Sequence, residues 1–191
     1  DPDRTVRVHV IRALAEQNDW GSDDCTVQQL VTGKLTDSDA FVRRAAADAL
    51  ARHFSGANIE PLLRLWAITP ADDTLLIHTV RMALRDNLRD LGNIIQIADR
   101  FANDPGDQRR LADVSLGIRT PAAASYVLRL LRERSAAPTR LGEFVHHAAR
   151  YSDAGSLPGL YTYLQTYREE EEAVQRIVLR ALYRAAQERV L

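Results

Sequence analysis

The feature that most limits the folds open to this chain is an internal repeat. Residues 1–17 (DPDRTVRVHVIRALAEQ) and residues 37–53 (DSDAFVRRAAADALARH) are identical at seven positions when they are aligned with a shift of 36. An Ala-Leu pair recurs at 13–14, 49–50, 83–84 and 181–182, and the last pair lies five steps of just under 34 residues from the first. A period of this length is typical of proteins that stack one supersecondary unit many times.

Each copy of the repeat has the apolar period of an α-helix. The apolar residues of the second copy follow the spacing i, i+3, i+4, i+7, i+8, and so do those of the last copy. A second series of helical segments separates the copies, at 26–35, 58–68, 91–101, 121–134 and 157–167. Asn58 and Thr120 are predicted to cap two of these segments, each with a proline in the turn that follows. No β-branched run alternates with polar residues, so we expect an all-α chain of eleven helices in antiparallel pairs.

A single helix pair has too little surface to bury its own apolar stripe. Pairs that stack side by side share one continuous core, so we predict a single array of about five and a half pairs over residues 1–191. A compact bundle is the competing fold, but it would not require the same stripe at a fixed period. The sequence begins in mid-pattern without a methionine, from which we expect a fragment of a larger multidomain protein.

Composition narrows the functional classes. The net charge of −1 and the pI near 6.6 remove the simplest electrostatic argument for nucleic acid or an anionic membrane as a partner. No apolar run approaches the ~20 residues of a membrane span, so membrane insertion is not expected. Cys25 is the only cysteine, which excludes an intrachain disulfide, a CxxC zinc site and a CxxCH haem attachment. Glycine-rich phosphate loops and hydrolase motifs are also missing from the sequence.

The repeat resembles a known family. An acidic turn followed by Val-Arg, small residues and Ala-Leu is similar to the second helix of HEAT repeats, and the stretch DSDAFVRRAAADAL (37–50) fits this pattern closely. The resemblance is strong over 1–90 and weak over 103–155. It implies a right-handed α-solenoid whose inner, concave face is formed by the second helix of each pair.

A narrower resemblance concerns residues 58–88. This stretch is similar to the HEAT segment of exported multidomain proteins of planctomycetes and their relatives, which combine a propeller, HEAT repeats and often a c-type haem domain. The resemblance implies a middle section of an exported, periplasmic protein. Since the chain has neither CxxCH nor a propeller pattern, no electron-transfer residue is carried over to it.

Four residues are predicted to have a structural role. The HEAT resemblance implies that Asp3, Arg7, Asp39 and Arg43 form a ladder of hydrogen bonds between successive layers. Asp39 can also cap its own helix, with Arg43 one turn further on. The alternative is a row of arginines on the inner face that binds carboxylates or phosphates.

The histidines invite a catalytic or metal-binding interpretation, which their spacing does not support. His78, Arg81 and Arg85 share one face of a helix that begins near Thr74 and is capped by Asp72 or Asp73. A general-acid role for His78 lacks a nucleophile or second base at a matching spacing. His146 and His147 are adjacent and point about 100° apart on a helix, so both cannot ligate one ion.

We therefore expect a non-enzymatic protein-interaction or scaffold module. Its concave face would dock a partner protein or an adjacent domain, and the candidate docking residues are Arg44, His78, Arg81, Arg85, Arg109 and Arg110. The alternative is a structural segment of a larger exported oxidoreductase or haem-containing protein, which positions catalytic domains. A DNA-repair glycosylase of the HEAT-like kind is disfavoured by the neutral charge. We assign no catalytic, cofactor-binding or metal-binding residue.

Overall fold

The computed structural model describes residues 1–18, 20, 25–133 and 138–189. These residues contain eleven α-helices and no β-strand, which confirms the all-α prediction. The helices are α1 (Arg4–Ala15), α2 (Cys25–Gly33), α3 (Ala40–Arg52), α4 (Ile59–Ile68), α5 (Thr74–Leu91), α6 (Ile94–Asp99), α7 (Pro105–Ser115), α8 (Pro121–Arg132), α9 (Leu141–Tyr151), α10 (Leu157–Leu164) and α11 (Glu172–Arg189). Position 134, where the predicted eighth helix ends, lies outside the described residues. Within the described ranges, no helix combines the length and the apolar character that crossing a membrane requires.

The chain divides into two compact units, Asp1–Gly92 and Asn93–Leu191. In the first unit, α1 packs against α3 and α3 against α5, while α2 packs on α3 and α4 on α5. In the second unit, α6, α7 and α9 pack on α8, and α11 packs on α9. Both units therefore consist of helix pairs with a shared core. That one array runs through residues 1–191 stays a prediction.

Small residues dominate the contact between the repeated helices of the first unit. Ala46, Ala49 and Ala83 are fully buried, and so are the Val42 and Val80 side chains on the same stripes. Alanine adds little side-chain volume, so the helix axes can approach closely without leaving cavities. These buried positions repeat with the sequence period. The period therefore identifies the helices that pack against one another.

Helix starts follow the predicted capping chemistry at most positions. Asp3 Oδ1 accepts the Thr5 amide proton at 2.7 Å, and Asp39 Oδ1 accepts that of Phe41 at 2.8 Å. Asp73, one of the two predicted candidates, caps α5. Thr120 likewise caps α8, with a proline at the start of the helix.

Asn58 does not cap α4, so that prediction is wrong. Its side chain is fully buried and makes no capping bond. The amide nitrogen donates to the His53 carbonyl at 2.8 Å and to Asn87 Oδ1 at 3.0 Å, and the amide oxygen accepts from Gln28 at 2.8 Å. A short 3₁₀ helix (Gly56–Asn58), capped by Ser55, precedes α4 and turns the asparagine inward. The residue therefore satisfies buried polar groups at the ends of α3 and α5.

Candidate functional site

Arg7 and Arg43 occupy equivalent positions on α1 and α3 and make equivalent bonds. Each guanidinium donates through Nη1 to the backbone carbonyls six and five residues before it, at 2.8 and 2.8 Å for Arg7 and at 2.8 and 3.0 Å for Arg43. Each arginine thus closes the turn that precedes its own helix. The position that corresponds to Arg43 in the third copy is Ile77, so this arginine series ends at α3 within the first unit.

Of the acids that pair with an arginine between the first two layers, Asp37 is the most buried. Arg7 Nη2 lies 3.2 Å from Asp37 Oδ1 and Arg7 Nε lies 3.1 Å from Oδ2, and the two side chains are only 16% and 10% exposed. The backbone N–H of Asp39, and after it Arg7, hold the pKa of Asp37 below its usual value. Asp3 and Asp39 cap their own helices, and Asp39 also lies 3.7 Å from Arg4 of α1. Asp37 could have been proposed from the sequence, because it also has an identical partner one repeat earlier.

A cleft of about 260 Å³ opens on the solvent side of the first unit. We call it the Phe41 cleft; its lining residues are Val8, Arg12, Phe41, Arg44, Ala45, Asp48 and Thr79, from α1, α3 and α5. The Phe41 ring is 52% exposed. The guanidinium carbons of Arg4 and Arg44 each lie 5.3 Å from the ring centroid, within cation–π range. Neither Arg12 nor Arg44 forms an ion pair with any described residue.

The other predicted docking residues of the first unit lie along α5. His78 is exposed. The Arg81 guanidinium carbon is 5.8 Å from the Trp66 ring centroid, so this side chain leans toward α4. Arg85 donates through Nε and Nη2 to Asp86 at 3.0 and 2.8 Å, which neutralises its charge locally. The structure therefore brings Arg44 into the cleft, and it distributes the other three along the helix.

Arg109 and Arg110 belong to the second unit. Both are on α7, where Arg109 is exposed and Arg110 pairs with Asp107 at 2.8 Å. A surface that would include these two residues together with those of the first unit stays a prediction.

A second recess, of about 660 Å³, lies in the second unit between α9, α11 and the loop before α8. We call it the basic groove; its basic lining residues are Arg119, His146, His147, Arg150, Arg180 and Arg184. The helices approach closely at one end, because Gly142 has no side chain. A Cβ at that position would lie 3.2 Å from Ile177 Cγ2.

Glu188 is not a lining residue of the basic groove, but it pairs with three of the basic residues that are. One of its oxygens is 3.0 Å from His146 Nε2 and also accepts from Arg150. The other accepts from Arg184 Nε at 2.8 Å. The hydrogen bond from Arg184, followed by the charges of Arg150 and His146, lowers the pKa of Glu188. Arg119 and Arg180 form no ion pair within the described part of the chain.

His147 forms part of the groove wall but is only 3% exposed. Its Nε2 lies 3.0 Å from the Ile118 carbonyl oxygen and therefore carries the proton. Its buried Nδ1 has no hydrogen-bond partner. Burial, together with a smaller contribution from the neighbouring His146, lowers the pKa of His147 to about 4. Among the described residues, no group of three His, Cys, Asp or Glu side chains is arranged to hold a metal ion.

Sequence reasoning missed the basic groove, although a signal was present. His146 and Arg150 are four residues apart on α9, and so are Arg180 and Arg184 on α11, so each pair shares a helix face. From the sequence we assessed His146 and His147 only as a metal-binding pair, and we did not consider the spacing between His146 and Arg150. The convergence of the two faces depends on tertiary packing between α9 and α11.

Comparison with known proteins gives one family match. A family model of HEAT repeats matches residues 1–85 of the 191, which cover α1 to α4 and most of α5. No curated protein matches the chain, and no solved structure does. The resemblance to exported multidomain proteins gains no support from these comparisons. HEAT repeats generally serve as protein-interaction scaffolds and are typically non-catalytic. Residues 1–85 of this chain are therefore similar to HEAT repeats.

Proposed function

We propose that this chain is a non-enzymatic docking module that binds a partner protein or a neighbouring domain through the Phe41 cleft. The observation that carries the proposal is the half-exposed Phe41 ring, flanked at 5.3 Å by the guanidinium groups of Arg4 and Arg44. Aromatic residues and arginines are enriched among the residues that dominate protein–protein binding energies. A phenylalanine ring that stays exposed to solvent does not gain the hydrophobic free energy of burial, which a docked partner would provide.

The geometry of the cleft favours binding in two ways. Burying the exposed half of the Phe41 ring contributes about 1 kcal/mol or more through the hydrophobic effect. Arg12 and Arg44 have no ion pair with a described residue, and they offer forked donors to carboxylates of the partner.

The HEAT match supports this interpretation, because it covers all three helices that form the cleft up to residue 85. The alternative is a segment that positions catalytic domains of a larger exported protein. Such a segment would bind a neighbouring domain through the same cleft. This alternative rests on the sequence resemblance alone.

The test is a quantitative pull-down from a lysate of the source organism. Phe41→Ala combined with Arg44→Glu should reduce recovery of the specifically bound protein by about tenfold or more. Arg64→Glu on α4 is the matched control, because it changes the net charge equally and its side chain is 75% exposed. A further variant, Arg81→Glu with Arg85→Glu, asks whether the docking surface extends along α5.

Equal recovery by the wild type and the Phe41→Ala/Arg44→Glu variant would overturn the proposal. Circular dichroism of each variant establishes that its helices are intact. A loss of recovery with Arg64→Glu alone would assign docking to the surface of α4 and would also contradict the proposal.

A further inference from the structure

We infer that the basic groove of the second unit binds an acidic peptide segment through its carboxylates, and that Glu188 is a built-in competitor for that ligand. The inference goes beyond the proposed function. It concerns other helices, other residues and a defined ligand chemistry, and it holds or fails independently of the Phe41 cleft.

The first argument is the convergence of cations from separate elements. His146 and Arg150 project from α9 at a spacing of four residues, and Arg180 and Arg184 project from α11 at the same spacing. Arg119 adds a fifth cationic position from the loop before α8. Two facing helices and a loop thus direct basic groups into one recess.

The second argument is that the recess has too few carboxylates for its arginines. Glu143 lines the groove but is engaged by Arg140, which lies outside the lining, at 2.6 Å. Glu188 alone serves His146, Arg150 and Arg184. Arg119 and Arg180 have no carboxylate partner among the described residues. This local excess of positive charge stands in a chain with a net charge of −1, so it does not reflect a generally basic protein.

The third argument concerns the kind of anion. The groove already binds a carboxylate of its own chain, because both oxygens of Glu188 accept from basic side chains. Apolar atoms of Leu116, Ile177 and Ala181 lie beside the cations. A peptide that alternates acidic and apolar side chains matches this lining in both respects. Nucleic acid matches it less well, since its binding draws on an extended basic surface.

Glu188 neutralises part of the groove in the free protein. A ligand carboxylate must either use Arg119 and Arg180 or displace Glu188 from its three partners. Removing the Glu188 charge would therefore free His146, Arg150 and Arg184 for the ligand. This predicts tighter binding when the Glu188 charge is removed, which a purely structural role does not.

The test is fluorescence anisotropy with a fluorescein-labelled Glu-Leu-Glu-Glu-Leu-Glu peptide. Arg119→Glu with Arg180→Glu should weaken binding by at least about tenfold. Arg64→Glu with Arg100→Glu is the control; it changes the net charge by the same amount, and both sites are exposed and outside the groove lining. The control should change the affinity by less than about twofold. Glu188→Gln should strengthen binding by roughly three- to tenfold.

Three further probes distinguish the ligand classes: the same peptide with Gln for Glu, the same peptide with phosphoserine for Glu, and a single-stranded DNA oligonucleotide. Equal weakening by the two charge-matched double variants would overturn the site. Binding of the phosphopeptide or the DNA without binding of the acidic peptide would overturn the carboxylate chemistry. Weaker binding by a Glu188→Gln protein with intact helices would contradict the competitor role.

Discussion

Two buried asparagines show how single residues hold the first unit together. Asn58 and Asn87 are fully buried and bonded to each other. Asn87 donates to the Leu50 and Ala83 carbonyls at 3.0 and 2.9 Å and accepts from the Ser55 N–H at 2.9 Å. A buried donor or acceptor left without a partner costs about 1–3 kcal/mol. The pair therefore supports the end of α3 and the starts of the elements that follow it.

Asn87→Ala should lower the free energy of unfolding of the first unit by about 2–4 kcal/mol, because it leaves several buried groups unsatisfied. Both tryptophans of the chain, Trp20 and Trp66, lie in this unit, so urea denaturation followed by tryptophan fluorescence reports on it. Asn18→Ala, at an exposed position, should change the value by less than about 0.5 kcal/mol. Similar losses for both variants would contradict the role of the buried network.

His147 makes the stability of the second unit depend on pH. The pKa of this buried side chain is about 4, against an ordinary value of 6.5. Above pH 6.5 neither the folded nor the unfolded form is protonated. Between pH 6.5 and 4 only the unfolded form takes up the proton, so stability falls as the pH falls. The loss amounts to about 3 kcal/mol, since each pH unit in that window costs about 1.4 kcal/mol.

His147→Gln should flatten this dependence, because glutamine can still donate to the Ile118 carbonyl but does not titrate. Urea denaturation followed by circular dichroism at pH 7 and pH 4.5 measures it. His78→Gln, at an exposed site, should leave the dependence unchanged. A His147→Gln protein as sensitive to pH as the wild type would assign the effect to other groups, such as Glu188, whose pKa is also shifted.

At the scale of elements, the Arg7–Asp37 pair joins α1 to the turn that precedes α3. Both side chains are largely buried, so solvent screens the pair less than a surface ion pair. A double-mutant cycle with Arg7→Ala and Asp37→Ala should give a coupling energy of about 1–2 kcal/mol, measured by tryptophan fluorescence. The exposed Glu60–Arg64 pair on α4 should give about 0.5 kcal/mol or less. Equal coupling energies would show that burial does not strengthen the contact between layers.

The helices themselves were predictable because their determinants are local. Apolar spacing, prolines and capping residues lie within one or two turns of each helix start. They predict Asp39 and Thr120 as caps correctly, and they limit the cap of α5 to Asp72 or Asp73, of which Asp73 is the cap. Asn58 has the same local appearance. Its buried role arises from Asn87, which is 29 residues away in sequence, and a local pattern does not contain such a partner.

At the scale of the whole molecule, the candidate sites were less predictable than the fold. The residue types identify Arg44 as a candidate, but the cation–π cluster needs the register between α1 and α3 that sets Arg4 beside Phe41. The charge arrangement of the basic groove depends on the hydrogen bond between Arg150 and Glu188, which are 38 residues apart in the sequence. Both sites depend on how neighbouring helices pack, and sequence periodicity specifies that packing only in outline.

The most direct measurement of the docking proposal is hydroxyl-radical footprinting of the protein with and without its captured partner. Phe41, which is 52% exposed on α3, should be oxidised several-fold more slowly in the complex. Ile68, 71% exposed at the end of α4, is the internal control and should be oxidised at the same rate in both states. Protection of Ile68 with unchanged oxidation of Phe41 would contradict docking through the cleft.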